Sequence, residues 1–233
     1  VASAFVAGHS LAALTEYSQS FDTLDRTSTS ALADDGWRVF GQGFDSSGNF
    51  LYNYNADGFP APNDINAPNI SVISDTSPVS GQSLVFFNDY NNGQHFDGSG
   101  NIIQISLYQS QQIGADDLGE LWAFTGMAAP DSLESPSTMQ AFVRVFTPNF
   151  SGVVAEGFQD LSDVSSNTPF SVFLDVDQGW VDHQVQFGLI SRASNGNGSG
   201  VIFDDLGFAI VPEPASLALL AVGGLALGAR RRR

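Results

Sequence analysis

Carboxylates are the most abundant reactive groups in this chain. Asp and Glu number 25 against 8 basic residues, every one of them arginine, for a formal charge of −17. Glycoside hydrolysis needs two carboxyls roughly 5 to 9.5 Å apart. Glutamate is scarce, however, and ahead of residue 211 it occurs at Glu16, Glu120, Glu134 and Glu156. No spacing singles out a catalytic pair. Nucleophilic catalysis lacks its parts, since there is no cysteine and no Gly-x-Ser-x-Gly elbow. Asn197-Gly198-Ser199-Gly200 has no phosphate-loop pattern and reads as a hairpin loop. His95 and His183 are far apart, with no His-x-x-x-His pair to hold zinc. Calcium, which takes six to eight oxygen ligands, suits this composition better, although no Asp-x-Asp-x-Asp-Gly loop is present. Stacking on sugars is the other available chemistry: a ring covers an apolar sugar face while polar groups at its rim take hydroxyls. Trp37, Tyr52, Tyr54, Tyr90 and Trp122 are candidates for such a ring. Phe142, Arg144 and Phe146, spaced by two, make an aromatic–arginine–aromatic stripe. It is a candidate ligand contact, although an arginine set among rings is more commonly stacked or ion-paired for structural reasons.

Short strands must position these groups. Helical periodicity is hard to find; short apolar or alternating runs recur between Gly, Asn, Asp, Ser and Pro. Strands are expected over 17–24, 37–44, 50–54, 71–73, 83–87, 102–108, 121–127, 140–146, 170–176, 184–190 and 201–210. Ala141, Val143 and Val145 alternate with Phe142, Arg144 and Phe146. Phe170, Val172, Leu174 and Val176 share one face of their run. In the last run, strict alternation puts Val201, Phe203 and Asp205 on one face and Ile202, Asp204 and Leu206 on the other. The longest loops are expected over 63–69 and 128–136. The pattern predicts an all-β sandwich or barrel in one domain over 14–210, with 19 phenylalanines to fill facing sheets.

The two ends read differently. Residues 1–13 are small and apolar and look like the remnant of a secretory signal peptide. At the other end, Pro212 and Pro214 stop the last strand. A run of Ala, Leu, Gly and Val then spans 215–229 before Arg230, Arg231, Arg232 and Arg233. As a helix this run would reach about 22 Å, short of the roughly 30 Å hydrocarbon core. It is expected to be a short hydrophobic helix, a transient visitor to the inner membrane, with the arginines on the cytoplasmic side. Losing 211–233 removes four arginines and one glutamate and leaves the body at −20. Such a surface excludes nucleic acid and anionic lipid as partners of the body.

Val211-Pro212-Glu213-Pro214, the apolar run and the arginine cluster closely resemble the PEP-CTERM sorting signal. That resemblance implies recognition by an exosortase and export to the envelope, surface or extracellular matrix of a Gram-negative bacterium. The body is similar, more diffusely, to jelly-roll carbohydrate-binding modules. Tyr17 to Asp22 and Ser199 to Phe208 carry the likeness, with Ile113 to Glu120 as the turn entering a central strand. It implies a jelly-roll β-sandwich and a structural calcium held by Asp22 and Asp205, with Glu16 as a further ligand. Taken together, the chain reads as a non-catalytic, adhesive or polysaccharide-binding protein of the extracellular matrix. A glycan hydrolase or lyase, or a structural matrix protein without a specific ligand, are the alternatives.

Overall fold

The computed structural model describes residues 13–53, 58–64, 70–74, 81–88, 101–194 and 198–212. Residues 1–12 of the expected leader, the 215–229 helix, Glu213, Pro214, Arg230 to Arg233, Tyr54, Tyr90 and His95 lie outside the described residues.

Thirteen strands are described: β1 (Tyr17–Gln19), β2 (Arg38–Phe44), β3 (Phe50–Asn53), β4 (Phe59–Pro60), β5 (Ile70–Ser74), β6 (Gln82–Phe86), β7 (Ile102–Gln112), β8 (Leu121–Pro130), β9 (Thr138–Phe146), β10 (Val153–Asp160), β11 (Thr168–Asp175), β12 (Gln184–Ser194) and β13 (Val201–Ile210). A single turn of helix, α1 (Ala31–Asp34), precedes β2. The first sheet runs β11-β8-β13-β6-β5, with β1 added on β13; the second runs β10-β9-β12-β7-β2-β3, with β4 added on β2. The pairings are antiparallel. From β6 onward the chain lays β6-β13-β8-β11 in one sheet and β7-β12-β9-β10 in the other. Eight strands wound in two sheets in that order make a jelly-roll β-sandwich, as the sequence leads one to expect.

The core lies between the sheets. Ala141, Val143 and Val145 of β9 face it, as do Phe170, Val172 and Leu174 of β11. Rings join the layers: Phe187 of β12 stacks on Phe208 of β13 at 4.2 Å, and Phe208 stacks on Trp122 of β8 at 4.9 Å. Phe124 and Tyr17 also lean on Phe187. Tyr17 is pinned from behind, its hydroxyl donating to Asp35 Oδ2 at 2.7 Å and accepting from Trp37 Nε1 at 2.9 Å. Burial and the neighbouring Asp35 carboxylate push the Tyr17 phenol far up, so it stays protonated.

Four elements depart from the sequence-based expectation. β10 and β4 were not foreseen: β10 is a half-exposed edge strand with a register shift at Val153 and Ala155, and its sequence, VVAEGFQD, has no apolar–polar alternation to announce it. β8 continues to Pro130, into the stretch expected to be loop. Most consequential is β13. Its register shifts between Asp204 and Gly207, and Asp205 takes φ 48° there. This bulge moves Leu206 onto the inner face with Val201, Phe203 and Phe208, and turns Asp205 out to solvent. Without it, every side chain after Asp204 would switch faces.

Phe187→Ala should lower unfolding free energy by about 3–5 kcal/mol, read as a reduced denaturant midpoint. The exposed Phe173 is the control, and its alanine variant should change stability by less than about 0.5 kcal/mol.

Candidate functional site

The outer face of the second sheet carries an ordered polar row. In cross-strand register, Thr138 of β9 stands beside Arg192 of β12, Arg192 beside Gln104 of β7, Gln104 beside Gln42 of β2, and Gln42 beside Asn53 of β3. Neighbouring strands lie about 4.8 Å apart, so the row is about 19 Å long. Its amides are chained: Gln104 Nε2 donates to Gln42 Oε1 at 3.1 Å, and Gln42 Nε2 donates to Asn53 Oδ1 at 3.2 Å. An amide has two N–H donors and a two-lone-pair acceptor, so each glutamine keeps capacity for a further partner.

Apolar rows border this track. On one side, Ile102 pairs with Phe44, and Phe44 with Phe50, their rings edge to face at 6.1 Å. On the other lie Ile190 and Phe40, flanking Ser106. Arg192 places its guanidinium 5.3 Å from the centre of the Phe44 ring. Its Nε is buried with no hydrogen-bond partner. Polar groups between apolar walls, held on rigid strands, suit a molecule with hydroxyl edges and C–H faces.

Sequence reasoning missed Gln42, Gln104, Asn53, Arg192, Phe40, Phe44 and Phe50. A signal existed in β2, where Phe40, Gln42 and Phe44 alternate with Val39, Gly41 and Gly43. Nothing in the sequence said that β7 and β12 would lie beside it.

The foreseen aromatics fare unevenly. Trp37 and Trp122 are not surface platforms. Each is fully buried, because alternation sends Trp37 inward with Val39 and Trp122 inward with Phe124. Tyr52 is 36% exposed at the sheet edge, packed over Gly43, where a Cβ would come within 2.6 Å of its ring. Phe142, Arg144 and Phe146 do share the outer face of β9, with Phe142 completely buried. Arg144 is enclosed, its guanidinium lying 5.3, 5.9 and 5.6 Å from the ring centres of Phe142, Phe146 and Phe158. Its Nε meets Glu156 at 3.2 Å. This stripe is a stacked, ion-paired brace between β9 and β10.

The carboxylates regroup as well. The bulge leaves Asp204 nearly buried, with Oδ1 accepting the Asp205 backbone N–H at 2.8 Å. Burial, with Asp205 and Asp22 adding negative charge, pushes its carboxyl up to about 6. Asp22 is engaged by the Gln82 N–H at 2.8 Å. Of the three expected calcium ligands, Asp22 and Asp205 both act electrostatically on Asp204. Glu16 does not join them: Gln19 pairs with Leu206 and Tyr17 with Phe208, which carries Glu16 roughly 13 Å along the strand from Asp205. Among the described residues no three His, Cys, Asp or Glu side chains are grouped to hold a metal ion.

β13 ends in the middle of the first sheet, and the Val211 N–H still donates to Leu121 O at 2.7 Å. Pro212, which has no N–H, follows. Residues 211–233 match the family model of the PEP-CTERM protein-sorting motif. The PEP-CTERM motif marks an exported, cell-surface-sorted protein that an exosortase processes. No helix among the described residues is long and apolar enough to cross a membrane.

No curated protein sequence matches the chain. Among solved structures, it is similar to the enzymatically active domain of bacteriophage CBA120 tailspike protein 4, at 10% identity and TM-score 0.47, covering 82% of this chain and 21% of that one. The CBM22-1 xylan-binding domain from Paenibacillus barcinonensis Xyn10C is 12% identical with TM-score 0.43, over 84% of this chain and 94% of that domain. A family 16 carbohydrate-binding module is 6% identical with TM-score 0.41, over 62% and 87%. The chain thus spans about a fifth of the tailspike protein. These likenesses lie in the fold.

The Asp204 shift sets a pH dependence. A carboxyl that holds its proton more tightly folded than unfolded costs stability when ionised, and the cost is relieved as pH falls from above 6 toward 4. Asp204→Asn should melt higher than the wild type at pH 7.5 in chelator. It should also lose part of the wild-type gain between pH 7 and pH 4. Superimposable pH profiles would refute this.

Proposed function

We propose that this exported protein binds extracellular polysaccharide without transforming it, using the outer face of its second sheet. The carrying observation is the row from Thr138 to Asn53, polar across five strands and walled by Phe44, Phe50 and Ile102 on one side and Phe40 and Ile190 on the other. Hydroxyls of an extended sugar chain would exchange hydrogen bonds with the amides while the walls cover its C–H faces. The track is long, which fits a polymer better than a small substrate. Among the described residues the row's side chains include no carboxylate, and Glu156 on the same face is paired with Arg144, so the row itself holds no acid–base pair for a hydrolase or lyase. The exosortase tail supports the same reading, since it delivers the sheet to the place where such polymers are found.

Structural calcium stays part of the proposal in reduced form, with Asp22, Asp205 and backbone carbonyls as its ligands. A native-state ligand raises the melting temperature. Calcium in excess over chelator should therefore raise the midpoint of the full chain by a few degrees, and an unchanged midpoint would remove calcium from the account.

For the binding face, Gln42→Ala combined with Gln104→Ala should weaken retention in polysaccharide-containing affinity gels roughly tenfold or more. Each lost hydrogen bond is worth about 1 kcal/mol, and 1.4 kcal/mol is a factor of ten. Phe173→Ala, on the opposite sheet, should leave retention unchanged. A wild type that no polymer retards would leave only a structural matrix role.

A further inference from the structure

The polar row is not neutral, and its one charge is unanswered among the described residues. Of the two arginines central to this face, Arg144 has Glu156 at 3.2 Å and three rings around it. Arg192 has neither arrangement. It is half-buried, rests on the single ring of Phe44, and keeps a buried Nε with no hydrogen-bond partner. Its register neighbours are Gln104 and Thr138, both uncharged. Among the described residues no carboxylate pairs with it, in a chain carrying 25 acidic residues. A partly desolvated guanidinium without a counter-charge is costly, and its planar donor fork matches a carboxylate in two parallel hydrogen bonds.

We infer that Arg192 is the subsite for a ligand carboxylate, and that the polymer this face takes is a polyuronate. This rests on the polysaccharide-binding reading and narrows it. The uronate carboxylate meets Arg192, and the sugar hydroxyls meet the Gln104–Gln42–Asn53 chain running away from it. Phe44, which already holds the guanidinium, lies beside the same ring. The −17 chain repels polyanions at long range, so discrimination falls to local cations, and Arg192 is the one within the row, Arg38 lying at the far end of β2. Contacts of that range persist at about 0.15 M salt, where the screening length is about 8 Å.

The test uses the full chain in mild detergent, with polygalacturonate and neutral galactan as probes, both in EDTA. The expected result is a polygalacturonate-to-galactan retention ratio that drops at least tenfold in Arg192→Gln, the ratio being the readout because Arg192 also belongs to the row that meets neutral sugar. Gln104→Glu is the second variant: it places a carboxylate directly across from Arg192 and should likewise abolish the preference for polygalacturonate. Melting curves show whether each variant is folded, and Gln104→Glu, a change of a half-buried outer-face side chain, carries the test if Arg192→Gln is not. Galactan binding with no polygalacturonate preference, or equal retention of both variants and wild type, overturns the uronate assignment and leaves polysaccharide binding standing. Retention of polygalacturonate only when calcium replaces EDTA assigns the contact to ions bridged by surface carboxylates and overturns it too. Failure of both probes to bind overturns the assignment together with the reading beneath it.

Discussion

Everything else in this molecule depends on two sheets being held face to face by rings. The chain has no cysteine, so no covalent bridge fixes the sheet separation. Phe187 reaches from the second sheet to Phe208 and, through it, to Trp122 on the first, in near-parallel stacks. Offset ring stacking adds to the burial of large apolar surfaces. The stack also fixes the phase of the strands that carry it. With Phe187 inward, Gln186, Gly188, Ile190 and Arg192 must point outward, and Arg192 is the head of the polar row. The hydrophobic clamp and the functional face are two sides of one strand, β12.

Much of the sandwich was legible because its inward strands obey a period of two. Phe170-Val172-Leu174 and Ala141-Val143-Val145 announced their burial, and the chemistry of Gly, Asn and Asp marked the turns between runs. What escaped has physical reasons. β10 is an edge, where one side of the backbone is unpaired and the side chains answer to no single core. At Asp205 one extra residue re-phased the end of β13. Strict alternation put Leu206 on the wrong face and grouped Asp205 with Val201 and Phe203, and strand register alone showed that Glu16 lies well along the strand from Asp205. The rings of Trp37 and Trp122 looked like sugar platforms by residue type, yet Val39 and Phe124, two positions along, already pointed to the interior.

The binding face was the least legible part, for a different reason. Gln42 and Asn53 sit on the consecutive strands β2 and β3, but Gln104 and Arg192 come from strands far along the chain, and each alone is an ordinary outward polar residue. Only strand order makes them a row. The conspicuous local motif, Phe142-x-Arg144-x-Phe146, turned out to brace an edge. A cluster visible in a short window tends to satisfy itself locally, as Arg144 does with Glu156. The groups that remain unsatisfied are those assembled across the sheet.

The tail does not leave from a loop or an edge strand. It continues β13, which is paired with β8 along one side and with β6 and β1 along the other, and the last bond of that ladder is made by Val211 itself. Tension that pulls on Val211 along β13 runs down the axis of an interior strand, at right angles to its hydrogen bonds. Those bonds share the load and must fail together instead of opening one after another like a zipper. If polymer grips the second sheet while the tail is held, the force path crosses the molecule through the ring stack between Phe208 and Phe187. The sandwich is then a mechanical coupling, strongest along the axis of β13.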